Sequence, residues 1–79
     1  MEETKIYKRD ELNTEAVEKV ILEVVEALRA RGYDPIDQIV GYLMSGDPGY
    51  ISSFKDARKK ITGIERTKIL EILVENYIK

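Results

Sequence analysis

Residues 32–51 read GYDPIDQIVGYLMSGDPGYI, and the two Asp-Pro pairs in this stretch set the architecture. Asp34 stands before Pro35 as an N-cap stands before a first helical residue. Its carboxylate can accept from the free N–H groups of a first turn, and proline, which has no N–H, loses nothing there. Ile36, Ile39, Val40 and Leu43 follow at helical spacing and predict a buried face, with Gly46 as the stop. Asp47-Pro48 repeats the start signal thirteen residues on and predicts a short helical turn.

Upstream of this stretch, Val17, Val20, Ile21, Val24 and Leu28 form an apolar stripe widened by Leu22 and Val25. Asn13 or Thr14 offers its N-cap, and Glu15 and Glu18 suit the positive end of the helix dipole. Arg29–Arg31 and Gly32 predict its end. Residues 1–12 mix charge with only Ile6, Tyr7 and Leu12. They sustain no stripe and read as a flexible tail before a single helical domain over 13–79. Downstream, Ser53 with Asp56 and Thr62 with Glu65 match the capping-box pattern. They predict a third helix carrying Phe54, Ala57 and Ile61, and a last helix reaching Tyr77. That last helix would bury Ile69, Ile72, Leu73 and Tyr77, its stripe broadened by Leu70 and Val74. Nothing alternates with a period of two, so the fold class expected is all-α, with about four to five helices.

Composition narrows the function classes. Seventy-nine residues, 43% hydrophobic and 35% charged, suit one globular domain and leave no room for a second core. Cysteine and histidine are both absent. That excludes disulfides, thiolate or imidazole metal sites, and Cys or His nucleophiles. Without a staple, a small domain commonly gains stability by self-association. The stripes over 17–28 and 69–77 accordingly predict a homodimer, with the last helix as the preferred interface. No apolar run approaches the roughly 20 residues of a membrane span. The start Met1-Glu2-Glu3 lacks the basic and apolar regions of a signal peptide, so a soluble cytoplasmic protein is expected.

The formal charge is -2, unevenly spread. Residues 1–34 carry nine acids against six bases, whereas Lys55, Arg58, Lys59, Lys60, Arg66 and Lys68 face only Asp56 and Glu65 between them. This basic stretch fits phosphate on nucleic acid or an acidic protein surface, and equally a solvated face. Glu11, Glu15 and Glu18 share a helix face, but nothing marks a sheltered carboxylate pair. Gly41, Gly46, Gly49 and Gly63 lack the spacing and the Lys-Ser/Thr ending of a phosphate loop. Gly41 within a helix costs about 1 kcal/mol against alanine and predicts close approach of another helix. Tyr33, Tyr42 and Tyr50 read as half-buried packing with wet hydroxyls. In the tail, Thr4 has the chemistry a kinase could use, and its phosphate would add about -1.5 to -2 charge.

The stretch 32–51 resembles the centre of the IreB/ReoM family of small regulatory phosphoproteins of Gram-positive bacteria. Lys55-Asp56-Ala57-Arg58, Ile64-Glu65-Arg66 and Leu73-Val74-Glu75-Asn76-Tyr77-Ile78 fit the same pattern, so the likeness covers about residues 4–78. It implies a helical homodimer with a flexible N-terminal tail. A tail threonine would be phosphorylated by a membrane serine/threonine kinase with wall-sensing repeats, and a partner phosphatase would reverse it. The family's pattern of Thr followed three residues later by an aromatic falls on Thr4 and Tyr7, which makes Thr4 the implied phosphoacceptor. The implied role is control of peptidoglycan precursor synthesis, through Clp-dependent degradation of its enolpyruvyl transferase. Arg58 and Arg66 keep the family arginines, and with Lys55 and Lys59 they are the expected partner-binding residues. Three positions depart from the pattern. Met1 stands where some members have a second threonine, Ser52-Ser53 where members usually read Pro-Arg, and Thr62 where a base is common. No catalytic residue, metal ligand or cofactor is expected. The competing reading is a small helical nucleic-acid-binding protein using residues 55–68.

Overall fold

A computed structural model describes the backbone of residues 2–79 and the side chains of residues 14–79. Helix α1 spans Glu2–Ala30, with its side chains followed from Thr14. The side chains of the tail expected over 1–12, that of Thr4 included, lie outside the described residues. Helix α2 covers Pro35–Ser45, α3 Ala57–Thr62 and α4 Arg66–Ile78. Two 3-10 turns, Pro48–Tyr50 and Phe54–Asp56, connect α2 to α3. No strand occurs among the described residues, and the fold is all-α as the periodicity predicts.

The punctuation residues do what their chemistry predicts. Gly32 has φ 87°, and with it α1 closes in a Schellman turn. The Tyr33 N–H donates to the Leu28 carbonyl and the Gly32 N–H to that of Arg29, both at 2.9 Å. The Asp34 carboxylate accepts from the N–H groups of Ile36 at 3.0 Å and Asp37 at 3.4 Å. Gly46, with φ 77°, ends α2 and donates to the Tyr42 carbonyl at 2.7 Å. Asp47 opens the first 3-10 turn by accepting from the Gly49 N–H at 2.9 Å.

Helix α1 is the spine against which α2, α3 and α4 pack. It contributes Val17, Ile21, Val24, Ala27 and Leu28 to the core. Ile39 and Tyr42 of α2, Ile51 of the linker, Ala57 and Ile61 of α3, and Ile69 and Ile72 of α4 complete it. Val20, Val25, Leu43, Phe54 and Ile64 pack against its edge.

Several local expectations are corrected. Helix α1 runs through Asn13 and Thr14, so neither residue opens it. Ile36 and Val40, expected inside, are exposed; α2 turns Ile39 and Tyr42 inward instead. On α4, Leu73 and Tyr77 are exposed as well, because that helix touches α1 along only one narrow edge. The Ser53–Asp56 capping box does not form. Ser52 Oγ takes the Phe54 N–H instead, and Lys55 and Asp56 both adopt left-handed φ, 52° and 63°. The Thr62–Glu65 box is absent too, since Thr62 Oγ1 donates back to the Arg58 carbonyl at 2.8 Å. This back-bond competes with capping because a Thr hydroxyl reaches a carbonyl one turn earlier as readily as an N–H ahead.

Gly41 is explained by a close approach, though not by another helix. A Cβ there would lie 2.5 Å from Cδ1 and 3.1 Å from Cγ of Tyr50 in the first 3-10 turn. The offending atoms include the root of the ring, so a change of its far end cannot relieve them. Gly41→Ala is therefore expected to destabilise the fold by about 1–3 kcal/mol, the usual range for overpacking. In a thermal double-mutant cycle, Gly41→Ala combined with Tyr50→Ala should cost clearly less than the sum of the single changes. Strict additivity would show that the ring does not dictate the glycine.

Candidate functional site: the linker clasp and its basic junction

Ile51, the residue after the first 3-10 turn, runs extended into the core, followed by half-buried Ser52. Ile51 is fully buried, so each of its backbone groups and those of Ser52 needs a partner. All four have one. The Ile51 N–H donates to the Pro48 carbonyl at 3.0 Å, and the Ser52 N–H donates to Gln38 Oε1 of α2 at 2.9 Å. Arg58 supplies the other two: its Nε donates to the Ile51 carbonyl at 2.9 Å, and its backbone N–H to the Ser52 carbonyl at 3.0 Å. One arginine at the start of α3 thus holds both carbonyls, while a glutamine from α2 holds the intervening N–H.

Arg66 acts likewise at the other end of α2. Its Nη1 donates to the Leu43 carbonyl at 2.9 Å, one of the carbonyls a helix C-terminus leaves without an intrahelical partner. The guanidinium lies over Gly46, where an added Cβ would meet it at 3.0 Å. A cation at this position also complements the negative end of the helix dipole.

Lys55 and Phe54 complete the junction. Lys55 Nζ lies 5.6 Å from the centre of the Phe54 ring, and Arg31, from the end of α1, lies 5.2 Å from it. Both distances are within cation–π range. Lys59 is exposed on α3, and Lys60 pairs with Glu23 of α1 at 3.5 Å. The junction therefore gathers Lys55, Arg58 and Lys59 of the expected partner-binding set, while Arg66 is employed at the end of α2. Arg31 is the cation the sequence reading missed, because nothing local links it to a phenylalanine 23 positions away. These groups fix backbone and present positive charge. A guanidinium keeps its proton and cannot act as a general base. No group of three or more metal-ligating side chains stands together among the described residues.

The departures at 52 and 62 acquire a structural meaning. A proline at position 52 would have no N–H for Gln38, so Ser52 and Gln38 form a bond that a Pro-containing linker cannot make. Thr62 uses its hydroxyl on the Arg58 carbonyl, where a lysine or arginine would extend into solvent.

Fold and junction define a small helical protein whose charged residues brace the chain and present surface. Residues 2–79 match the family model described as the IreB regulatory phosphoprotein, and the chain belongs to that family. It is accordingly a regulatory phosphoprotein. Among the described residues no helix is long and apolar enough to cross a membrane.

Removing the Arg58 side chain leaves a buried carbonyl short of a charged donor. Arg58→Ala is expected to lower unfolding free energy by about 1–3 kcal/mol, more than an ordinary exposed charge deletion. Arg58→Lys should restore only part of it, since an ammonium cannot reproduce the Nε geometry. Chemical denaturation checks both variants, and a loss under about 0.5 kcal/mol for Arg58→Ala would mean that the clasp is not structural.

Proposed function

We propose that this family member is a non-enzymatic cytoplasmic switch, phosphorylated on Thr4 by a membrane serine/threonine kinase and reset by a partner phosphatase. It acts on peptidoglycan precursor synthesis by controlling Clp-dependent degradation of the enolpyruvyl transferase. The observation that carries this reading is the family match over residues 2–79, which includes Thr4 and the aromatic Tyr7 three positions on. Lys55, Arg58, Lys59 and Arg66 form the proposed partner-binding surface. Arg58 and Arg66 each give one side-chain nitrogen to a carbonyl and remain solvent-exposed, so a guanidinium has further N–H donors to offer.

The protein is further proposed to act as a homodimer through α4. That helix leaves Leu70, Leu73, Val74, Tyr77 and Ile78 exposed, Tyr77 by 89%. Five such side chains on one short helix exceed the singly scattered apolar residues of an ordinary monomer surface. Pairing two copies along this helix would remove the apolar area from water, at about 25 cal/mol per Å².

Two measurements test the reading. Treatment with the cognate kinase and mapping by mass spectrometry should place phosphate on Thr4, and Thr4→Ala should abolish it. Phosphate confined to Thr14, Thr62 or Thr67 would defeat the assignment, and salt-sensitive binding to duplex or single-stranded nucleic acid would favour the competing function. In sedimentation at tens of micromolar, the wild type should be dimeric and Leu70→Glu/Val74→Glu monomeric with helicity retained. A monomeric wild type rejects the dimer.

A further inference from the structure

Helix α2 carries a second apolar face that neither the core nor the proposed switch uses. Ile36, Val40 and Met44 recur at intervals of four, exposed by 72%, 50% and 81%. They form the solvent-side edge of the stripe whose other edge, Ile39 and Tyr42, meets the core, and half-exposed Tyr33 precedes them. The ring of Tyr50 stands over Gly41, one residue from Val40, and walls one side. The helix beneath is firmly held: Asp34 caps its start, Gly46 closes its end, and Gln38 and Arg66 tie it to the linker and α4. A rigid helix with exposed anchors at i, i+4 and i+8 binds with little ordering cost.

We propose that this face is a docking site for a short amphipathic helix of another protein, apolar on one side and flanked by lysine or arginine. Size argues for a peptide-like partner. The stripe is three side chains long and spans about 12 Å at 1.5 Å per residue, whereas a stable protein interface takes about 20–30 residues a side. Charge argues for a basic flank and against a second copy. Asp34, Asp37 and Asp47 are all exposed around the stripe. The base at its C-terminal end, Arg66, already gives Nη1 to the Leu43 carbonyl. An antiparallel copy of α2 centred on Val40 would bring Asp34 of each chain toward Asp47 of the other, and a parallel copy would set like aspartates side by side. A lysine-flanked helix would meet those carboxylates favourably, in the helix-on-apolar-face mode of recognition. Met44 suits such a role because its unbranched thioether side chain adapts to different partners.

The test uses the full-length protein with methyl-detected NMR and fluorescence anisotropy. The probes are two peptides of about 18 residues with leucine at i, i+3, i+4 and i+7, one flanked by lysine and one by glutamate. The lysine-flanked peptide should bind in the micromolar range and shift the methyls of Ile36, Val40 and Met44. The glutamate-flanked peptide should bind at least about tenfold more weakly. Ile36→Ser/Met44→Ser, whose exposed positions leave helicity intact, should weaken the lysine-flanked peptide about tenfold or more without altering sedimentation. Leu70→Ser/Val74→Ser should leave peptide binding unchanged. Shifts confined to α4 or to the junction at 54–59, equal binding of the two peptides, or no binding at millimolar concentration would overturn the proposal. A change of oligomeric state in the α2 variant would overturn it in favour of a second copy, independently of the outcome at Thr4.

Discussion

The two hydrogen bonds from Arg58 to the Ile51 and Ser52 carbonyls are the constraint on which the arrangement of helices depends. Residues 51–53 carry no regular structure, yet Ile51 must cross the middle of the core with no exposed surface. A buried backbone without helical or sheet bonds is tolerable only if side chains replace them. Arg58 and Gln38 do so from opposite sides, one at the start of α3 and one in the middle of α2. The same three bonds that satisfy the linker therefore set the position of α3 relative to α2. The left-handed Lys55 and Asp56 follow from this: the chain must turn sharply between Ser52 and Ala57 for Arg58 to reach back. Two non-glycine residues at positive φ cost about 1–2 kcal/mol each, comparable to what the charged hydrogen bond and satisfied carbonyls contribute.

How much of this was legible in the sequence depended on how local the physics was. Asp34-Pro35, Asp47-Pro48, Gly32 and Gly46 each act on N–H or carbonyl groups within five residues, and each does what its type predicts. The α1 stripe was legible for a similar reason, since one helix face meets α2, α3 and α4. The Thr62 box failed because its hydroxyl found a competing local partner of nearly equal reach, and the Ser53 box because left-handed Lys55 and Asp56 interrupt the turn it would have capped. The exposure of Ile36 and Val40 was illegible, since periodicity locates an apolar stripe without saying which edge of it meets α1. The bracing bonds were the least visible. Gln38–Ser52 spans fourteen residues and Arg66–Leu43 twenty-three, and no spacing rule joins such pairs. Basic residues 55–68 therefore read as one patch by sequence, although the fold uses Arg66 at α2, Lys60 on Glu23 and Lys55 on Phe54.

This division of labour bears on how a domain of this size serves regulation. Its core is narrow: among the described residues twelve apolar side chains are buried, five of them on α1, while eleven large hydrophobics remain exposed. Packing those outer residues inside would require a second layer that 79 residues cannot supply. Leaving them outside is costly for solubility unless partners cover them, which is the usual meaning of a concentrated apolar surface. The α2 and α4 faces differ in what surrounds them. Aspartates ring the α2 stripe, whereas the broader α4 set ends in Tyr77 and Ile78. Under the two proposals, faces of different size and charge would let two contacts be made at once, one with a second copy and one with another protein.

Under the proposed switch, a phosphate on Thr4 acts on a body whose buried polar side chains are already committed. The described residues contain no buried side-chain nitrogen or oxygen without a hydrogen-bond partner. No internal bond is thus waiting for a new acceptor, and remaking the clasp would require Arg58 to release a buried carbonyl. If the segment carrying Thr4 is free to dock, its phosphate would gain one or two charge-assisted bonds of about 1.5–3 kcal/mol each on Arg58 or Arg66. Against this stands about 1–2 kcal/mol for every backbone residue ordered, so holding several residues consumes the gain. The balance favours a phosphate that stays solvated and changes the charge a partner meets, with the helices unmoved. A brace that fixes α2 and α3 whatever the state of the tail is what such a mechanism needs, because surface charge can then change without changing surface shape.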